Sequence, residues 1–79
     1  VVAGRRKRYL LLNAPNESVD EISQVIPGLS APTVMPLAGG TMSAVHSVVD
    51  ADDVWHLLPR LEEAGGQGIL VLPIEQLIP

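Results

Sequence analysis

Four short apolar runs and two amphipathic ones predict an α+β fold: a ferredoxin-like βαββαβ sandwich, with a four-stranded antiparallel sheet and two helices on one face. Three observations carry that prediction. Residues 9–13 (YLLLN) and 68–72 (GILVL) are nearly unbroken apolar runs, the pattern of strands covered on both faces. Residues 19–26 and 54–64 instead place their apolar side chains at the helical period. Residues 33–37 and 41–49 are extended runs joined by Ala38-Gly39-Gly40, which reads as a hairpin turn. Right-handed crossovers in both β-α-β units then put the two helices on the same side of the sheet.

Taken in order, residues 1–8 read as a linker or the end of a preceding domain, and residues 9–79 as the folded unit. Ala14-Pro15-Asn16 stops the first strand, because proline has no backbone donor to continue the ladder. Ser18-Val19-Asp20-Glu21 fits a capping box, in which the serine oxygen and the glutamate side chain satisfy each other's backbone donors. Val19, Ile22, Val25 and Ile26 share one face of the helix that follows, and Pro27-Gly28 ends it. Thr33-Val34-Met35-Pro36-Leu37 is the second strand. In the third, Met42, Ala44, His46 and Val48 alternate with Ser43, Val45, Ser47 and Val49, the period of two that marks a strand. Asp50 or Asp52 reads as the N-cap of the second helix. Its stripe of Val54, Leu57, Leu58, Leu61 and Ala64 continues past Pro59, so the helix is expected to survive an interior proline that costs about 3 kcal/mol. Gly65-Gly66 stops it. Pro73-Ile74-Glu75 leaves the sheet, and residues 76–79 are a short tail.

Composition narrows the function classes. The 79 residues are 47% apolar with no Phe and no Cys, so the core is aliphatic and there is neither a disulfide framework nor a thiolate site. No apolar run approaches the roughly 20 residues of a membrane span, and no signal peptide is visible, so a cytoplasmic location without a membrane partner is expected. A first residue of Val rather than Met reads as a piece excised from a longer protein. Net charge is −4, and four of the five basic residues are Arg5, Arg6, Lys7 and Arg8. The remaining body is acidic and repels phosphate backbones, which argues against nucleic acid as a partner, and Tyr9 and Trp55 alone do not build an aromatic RNA platform. Val and Leu occupy both faces of the first and last strands, yet helices cover only one. The open face is therefore expected to dock onto another copy or another domain.

Candidate chemistry is sparse. His46 and His56 fall on a strand and a helix without the spaced partners that zinc requires, and they read as structural polar residues, His46 half-buried and hydrogen-bonded. Ser43, His46 and Ser47 lack the elbow and geometry of a hydrolase triad. Asp50, Asp52 and Asp53 cap a helix more readily than they bind a cation. Neither glycine pair matches a phosphate-binding loop, although Gly68 opens the last strand where bare backbone can approach a small ligand. Asn13 and Thr33, short polar residues beside prolines, can hydrogen-bond a small polar ligand or simply make local turns.

Leu11-Leu12-Asn13-Ala14-Pro15, then Ile26-Pro27-Gly28-Leu29-Ser30-Ala31-Pro32-Thr33-Val34-Met35-Pro36-Leu37-Ala38, then Gly68-Ile69-Leu70-Val71-Leu72-Pro73-Ile74-Glu75 resemble, in order and spacing, the C-terminal domain of long-form ATP phosphoribosyltransferase. The resemblance covers the chain from about Tyr9 to its end, and its most specific stretch runs from Pro27 to Leu37. It implies a ferredoxin-like regulatory domain that binds L-histidine as effector, for feedback inhibition of the first step of histidine biosynthesis, and that contributes to a hexamer. Catalysis would belong to preceding domains of the same polypeptide, which use magnesium; this domain would be no enzyme by itself and need no cofactor. Position by position, the resemblance makes Asn13 a polar effector contact, Thr33 a hydrogen-bonding contact and Leu29 and Val48 an apolar wall. Ala31 stands where some members have serine, and Gly68 stands where others have a small residue near the ligand. Asn13 departs from the acidic residue of some members, so a charge-assisted bond is replaced by a neutral one and weaker affinity is expected. The alternative is a purely structural oligomerisation domain that retains no ligand binding.

Overall fold

A computed structural model describes residues 7–26, 31–75 and 78. The elements follow the predicted order: β1 (Lys7–Pro15), α1 (Val19–Val25), β2 (Thr33–Pro36), β3 (Met42–Asp50), α2 (Val54–Glu63) and β4 (Gln67–Pro73). The sheet order is β2-β3-β1-β4, and every neighbouring pair is antiparallel. This is the expected ferredoxin-like sandwich.

The strand period decides the two faces. Leu10, Leu12 and Ala14 of β1 lie opposite Ser47, Val45 and Ser43 of β3 and turn toward the helices. There they pack with Ile22 and Ile26 from the first helical segment, with Val49, and with Leu57, Leu61 and Ala64 from the second. Ile69 and Val71 of β4 close this core from the side. Both edge strands end in a proline, Pro36 and Pro73, where a missing donor costs no ladder bond inside the sheet.

The predicted helix stop at Gly65-Gly66 is a Schellman motif. The Gly66 amide donates to the Leu61 carbonyl at 2.8 Å and the Gly65 amide to the Glu62 carbonyl at 3.1 Å. Gly65 takes the left-handed conformation this turn requires, with φ of 107°. Pro59 stays inside α2 because the bond it forfeits, to the carbonyl of Trp55, faces water: both residues are exposed, Trp55 at 79%.

Three local expectations are corrected. First, the Ser18–Glu21 capping box does not form. A single 3-10 turn, Asn16–Ser18, feeds α1, so Ser18 already has near-helical angles (φ −98°, ψ −7°) and makes no side-chain cap bond. Its hydroxyl lies instead against Gly65. Second, Asp50 occupies the N-cap position of a similar turn, Ala51–Asp53, without capping it. The Lys7 ammonium, directly across the β1–β3 ladder, takes its carboxylate in an ion pair. The residue preceding α2 is Asp53, not Asp52, and it too makes no side-chain cap bond. Third, β1 starts at Lys7 and runs through Pro15, two residues beyond the predicted strand at each end. The earlier basic residues and most of the predicted tail lie outside the described residues.

Asn16, read from sequence as part of a strand stop, clamps the hairpin. Its amide nitrogen donates to the Gly40 carbonyl at 2.8 Å, its amide oxygen accepts from the Ser43 hydroxyl at 2.7 Å, and its backbone amide donates to the Thr41 carbonyl at 3.1 Å. Ser43 is only 6% exposed, so it depends on this acceptor. Asn16→Ala should lower stability by about 2–3 kcal/mol in urea unfolding, and a cycle with Ser43→Ala should show coupling of about 1 kcal/mol.

Candidate functional site

The open face of the sheet is built by the residues that alternate with the core. On β1 these are Tyr9, Leu11 and Asn13, paired with Val48, His46 and Ala44 of β3. β2 adds Thr33 opposite His46 and Met35 opposite Ala44. β4 adds Leu70 opposite Leu11 and Leu72 opposite Tyr9. One row therefore crosses the whole sheet: Thr33, His46, Leu11, Leu70. The face is largely apolar and exposed, with Met35 at 50%, Leu70 at 56% and Leu72 at 44% accessible. Its polar groups are Thr33 and His46, side by side in that row, with Tyr9 and Asn13 two residues to either side of Leu11 on β1.

Four of the sequence-predicted site residues, Thr33, Val48, Asn13 and Gly68, belong to the strands of this sheet and form two groups. Thr33 opens β2, and Val48 stands two residues along β3 from Thr33's partner His46, on the same side. Ala31 precedes β2 and is exposed. Asn13 and Gly68 form the second group, one strand further across. The β1–β4 register slips between Leu11 and Asn13, so that Asn13 pairs with Gln67 and β4 carries one extra residue. Gly68 supplies the bulge with φ of 56°, and a Cβ there would sit 3.8 Å from the Asn13 amide nitrogen. Asn13 thus lies within the strand rather than at its end. Leu29 lies outside the described residues.

Sequence reasoning did not connect His46 to the site. Its Nδ1 stands 3.4 Å from the Tyr9 hydroxyl, and the rings meet edge to face, with centroids 5.8 Å apart and planes at 69°. The expectation of a half-buried, hydrogen-bonded histidine holds. The signal that places it beside Thr33 was present in the hairpin. Counting outward from the centre of Gly39-Gly40 pairs residue 36 with 43 and residue 33 with 46, as observed.

On the helical side, an open groove of about 330 Å³ is lined by Arg8, Ala51, Val54, Trp55, Leu58 and Val71. It contains none of the predicted site residues. Trp55 and Tyr9 therefore stand on different sides of the domain. Among the described residues, no three His, Asp or Glu side chains are grouped to hold a metal, and no helix is long and apolar enough to cross a membrane.

Comparison with known proteins gives a consistent result. A family model described as HisG, C-terminal domain matches residues 4–76. The chain is 49% identical over 78 residues to an ATP phosphoribosyltransferase of Phocaeicola vulgatus, covering 99% of this chain and 28% of that protein. It is 47% identical over 72 residues to that of Azobacteroides pseudotrichonymphae, covering 91% and 25%. The ATP phosphoribosyltransferase of Natronomonas pharaonis is 48% identical over 73 residues, covering 92% and 26%. The chain spans about a quarter of the length of these relatives.

Proposed function

Because this chain belongs to the family of HisG C-terminal domains, we propose that it is the non-catalytic regulatory domain of an ATP phosphoribosyltransferase, binding L-histidine on the open face of its sheet for feedback control of histidine biosynthesis. The observation that supports this reading is a coincidence of placement. Thr33, Val48, Asn13 and Gly68, four of the positions implied by the family resemblance, belong to the strands around one sheet face that no helix among the described residues covers. Thr33 offers a hydroxyl and Asn13 an amide, while Val48, Leu11 and Ala44 surround them with apolar surface. That is the environment of a small amphiphilic ligand.

In this reading catalysis, with its magnesium, belongs to the rest of a longer polypeptide. The domain's partners are those catalytic domains and other copies of itself, in a hexamer. Feedback then requires that L-histidine bind one arrangement of the assembly more tightly than another. Calorimetry with L-histidine tests the first half. Thr33→Val keeps the shape and removes the hydroxyl, so affinity should fall about tenfold, one lost hydrogen bond to a charged ligand, with an unchanged circular dichroism spectrum. Unchanged affinity would refute the contact.

The exposure of Leu70, Leu72 and Met35 supports a second reading, an assembly domain without an effector. Sedimentation separates the two. Association that is indifferent to L-histidine, with no heat of binding, supports assembly alone.

A further inference from the structure

We propose that the imidazole of His46, steered by the Tyr9 hydroxyl, is a further ligand contact on the open face and receives the carboxylate of the bound amino acid. The inference rests on the effector reading above and adds to it a residue and a direction for the ligand.

The placement comes from the ladder. His46 lies directly across from Thr33 on one side and Leu11 on the other, so its ring rises from the middle of the row. Directly paired residues stand about 4.5–5.5 Å apart and share a face. Thr33 and His46 can therefore hold the same small group, with Asn13 one strand away on the diagonal.

The orientation comes from Tyr9. One ring nitrogen, Nδ1, is turned to the Tyr9 hydroxyl at 3.4 Å, and the edge-to-face contact holds the plane. No partner for Nε2 occurs among the described residues. A tyrosine hydroxyl that donates to Nδ1 leaves the imidazole proton on Nε2, where it becomes a donor. An anionic oxygen is the natural complement of that donor together with the Thr33 hydroxyl. The surroundings do not repel it. The carboxylate of Asp50 stands at the far end of β3 and is held by Lys7, while Met35, Ala44, Val48, Leu11, Leu70 and Leu72 are neutral.

Calorimetry with two probes tests this: L-histidine, and L-histidinol, in which an alcohol replaces the carboxylate. His46→Leu should weaken L-histidine binding by about tenfold and leave L-histidinol binding within about twofold. His46→Gln retains a donor and should recover most of the loss. Tyr9→Phe keeps the ring and should cost several-fold for L-histidine alone; together with His46→Gln it carries the test if His46→Leu does not fold. Equal L-histidine affinity in folded His46→Leu overturns the contact while leaving the effector reading intact. Equal weakening of both probes, or no rescue by glutamine, overturns the carboxylate assignment. Absence of binding to the unmodified chain overturns the effector reading and this inference with it.

Discussion

Leu61→Ala is expected to lower the unfolding free energy by about 2–5 kcal/mol, through lost burial and the cavity left behind. Leu61 is fully buried, on the stripe of α2 that meets the sheet, and it packs in the same cluster as Leu10, Leu12, Ile22 and Val45. A chain of 79 residues has a total stability of only about 4–12 kcal/mol. The substitution therefore removes a large share of it, and the melting temperature should fall by about 10–30 °C. Trp55 on the same helix provides the contrast. It is larger but 79% exposed, and Trp55→Ala should change stability by no more than about 0.5 kcal/mol. Urea unfolding followed by circular dichroism measures both. Similar midpoints for the two variants would show that the core is not where the burial places it.

Gly66→Ala should cost about 1–3 kcal/mol for a different reason, overpacking against backbone. A Cβ at this position would lie 2.8 Å from the Leu61 carbonyl oxygen and 3.3 Å from its carbon. That oxygen already accepts the Gly66 amide, so it cannot move away without loosening the helix end. The Leu12 side chain, 3.4 Å from the same point, closes the other direction. The variant should also lose protection from hydrogen exchange at the Gly66 amide, the bond that must open to admit the methyl group. Stability within about 0.5 kcal/mol of the parent, with that amide still protected, would contradict the account.

Leu61→Ala acts through contacts that pattern alone points to, whereas the Asn16 clamp and the Tyr9–His46 contact do not announce themselves in the same way. Leu57, Leu61 and Ala64 fall on the helical stripe, so their burial is readable from spacing, whereas the alternation of β3 separates Val45 and Val49 from His46 and Val48 without saying which side is buried. Asn16 looks like any turn residue. Its importance depends on a hairpin tip that arrives from 24 residues away at Gly40 and on a serine hydroxyl that needs an acceptor there. Ser18 and Asp50 carry plausible capping sequences, but each stands at a 3-10 turn, and neighbours remote in sequence, Gly65 and Lys7, lie against their side chains. Capping rules consider only the nearest donors; they have no knowledge of what packs on the other side.

The candidate site divides in the same way. The identities of Asn13, Thr33, Val48 and Gly68 follow from family resemblance, and their gathering on one face follows from strand alternation once the order of strands is known. The meeting of Asn13 with Gly68 depends on a bulge that no local pattern marks.

The sequence by itself determined the order of strands and helices, the buried side of the two helices and the family to which the chain belongs. The periods of two and 3.6 residues and the backbone limits of Pro and Gly act within a few residues of chain. The tertiary structure alone decided where the β1–β4 register slips, which side of β3 is buried, and that His46 faces Tyr9. Those features are set by hydrogen bonds and packing between segments tens of residues apart, whose partners are chosen only when the sheet closes over its core.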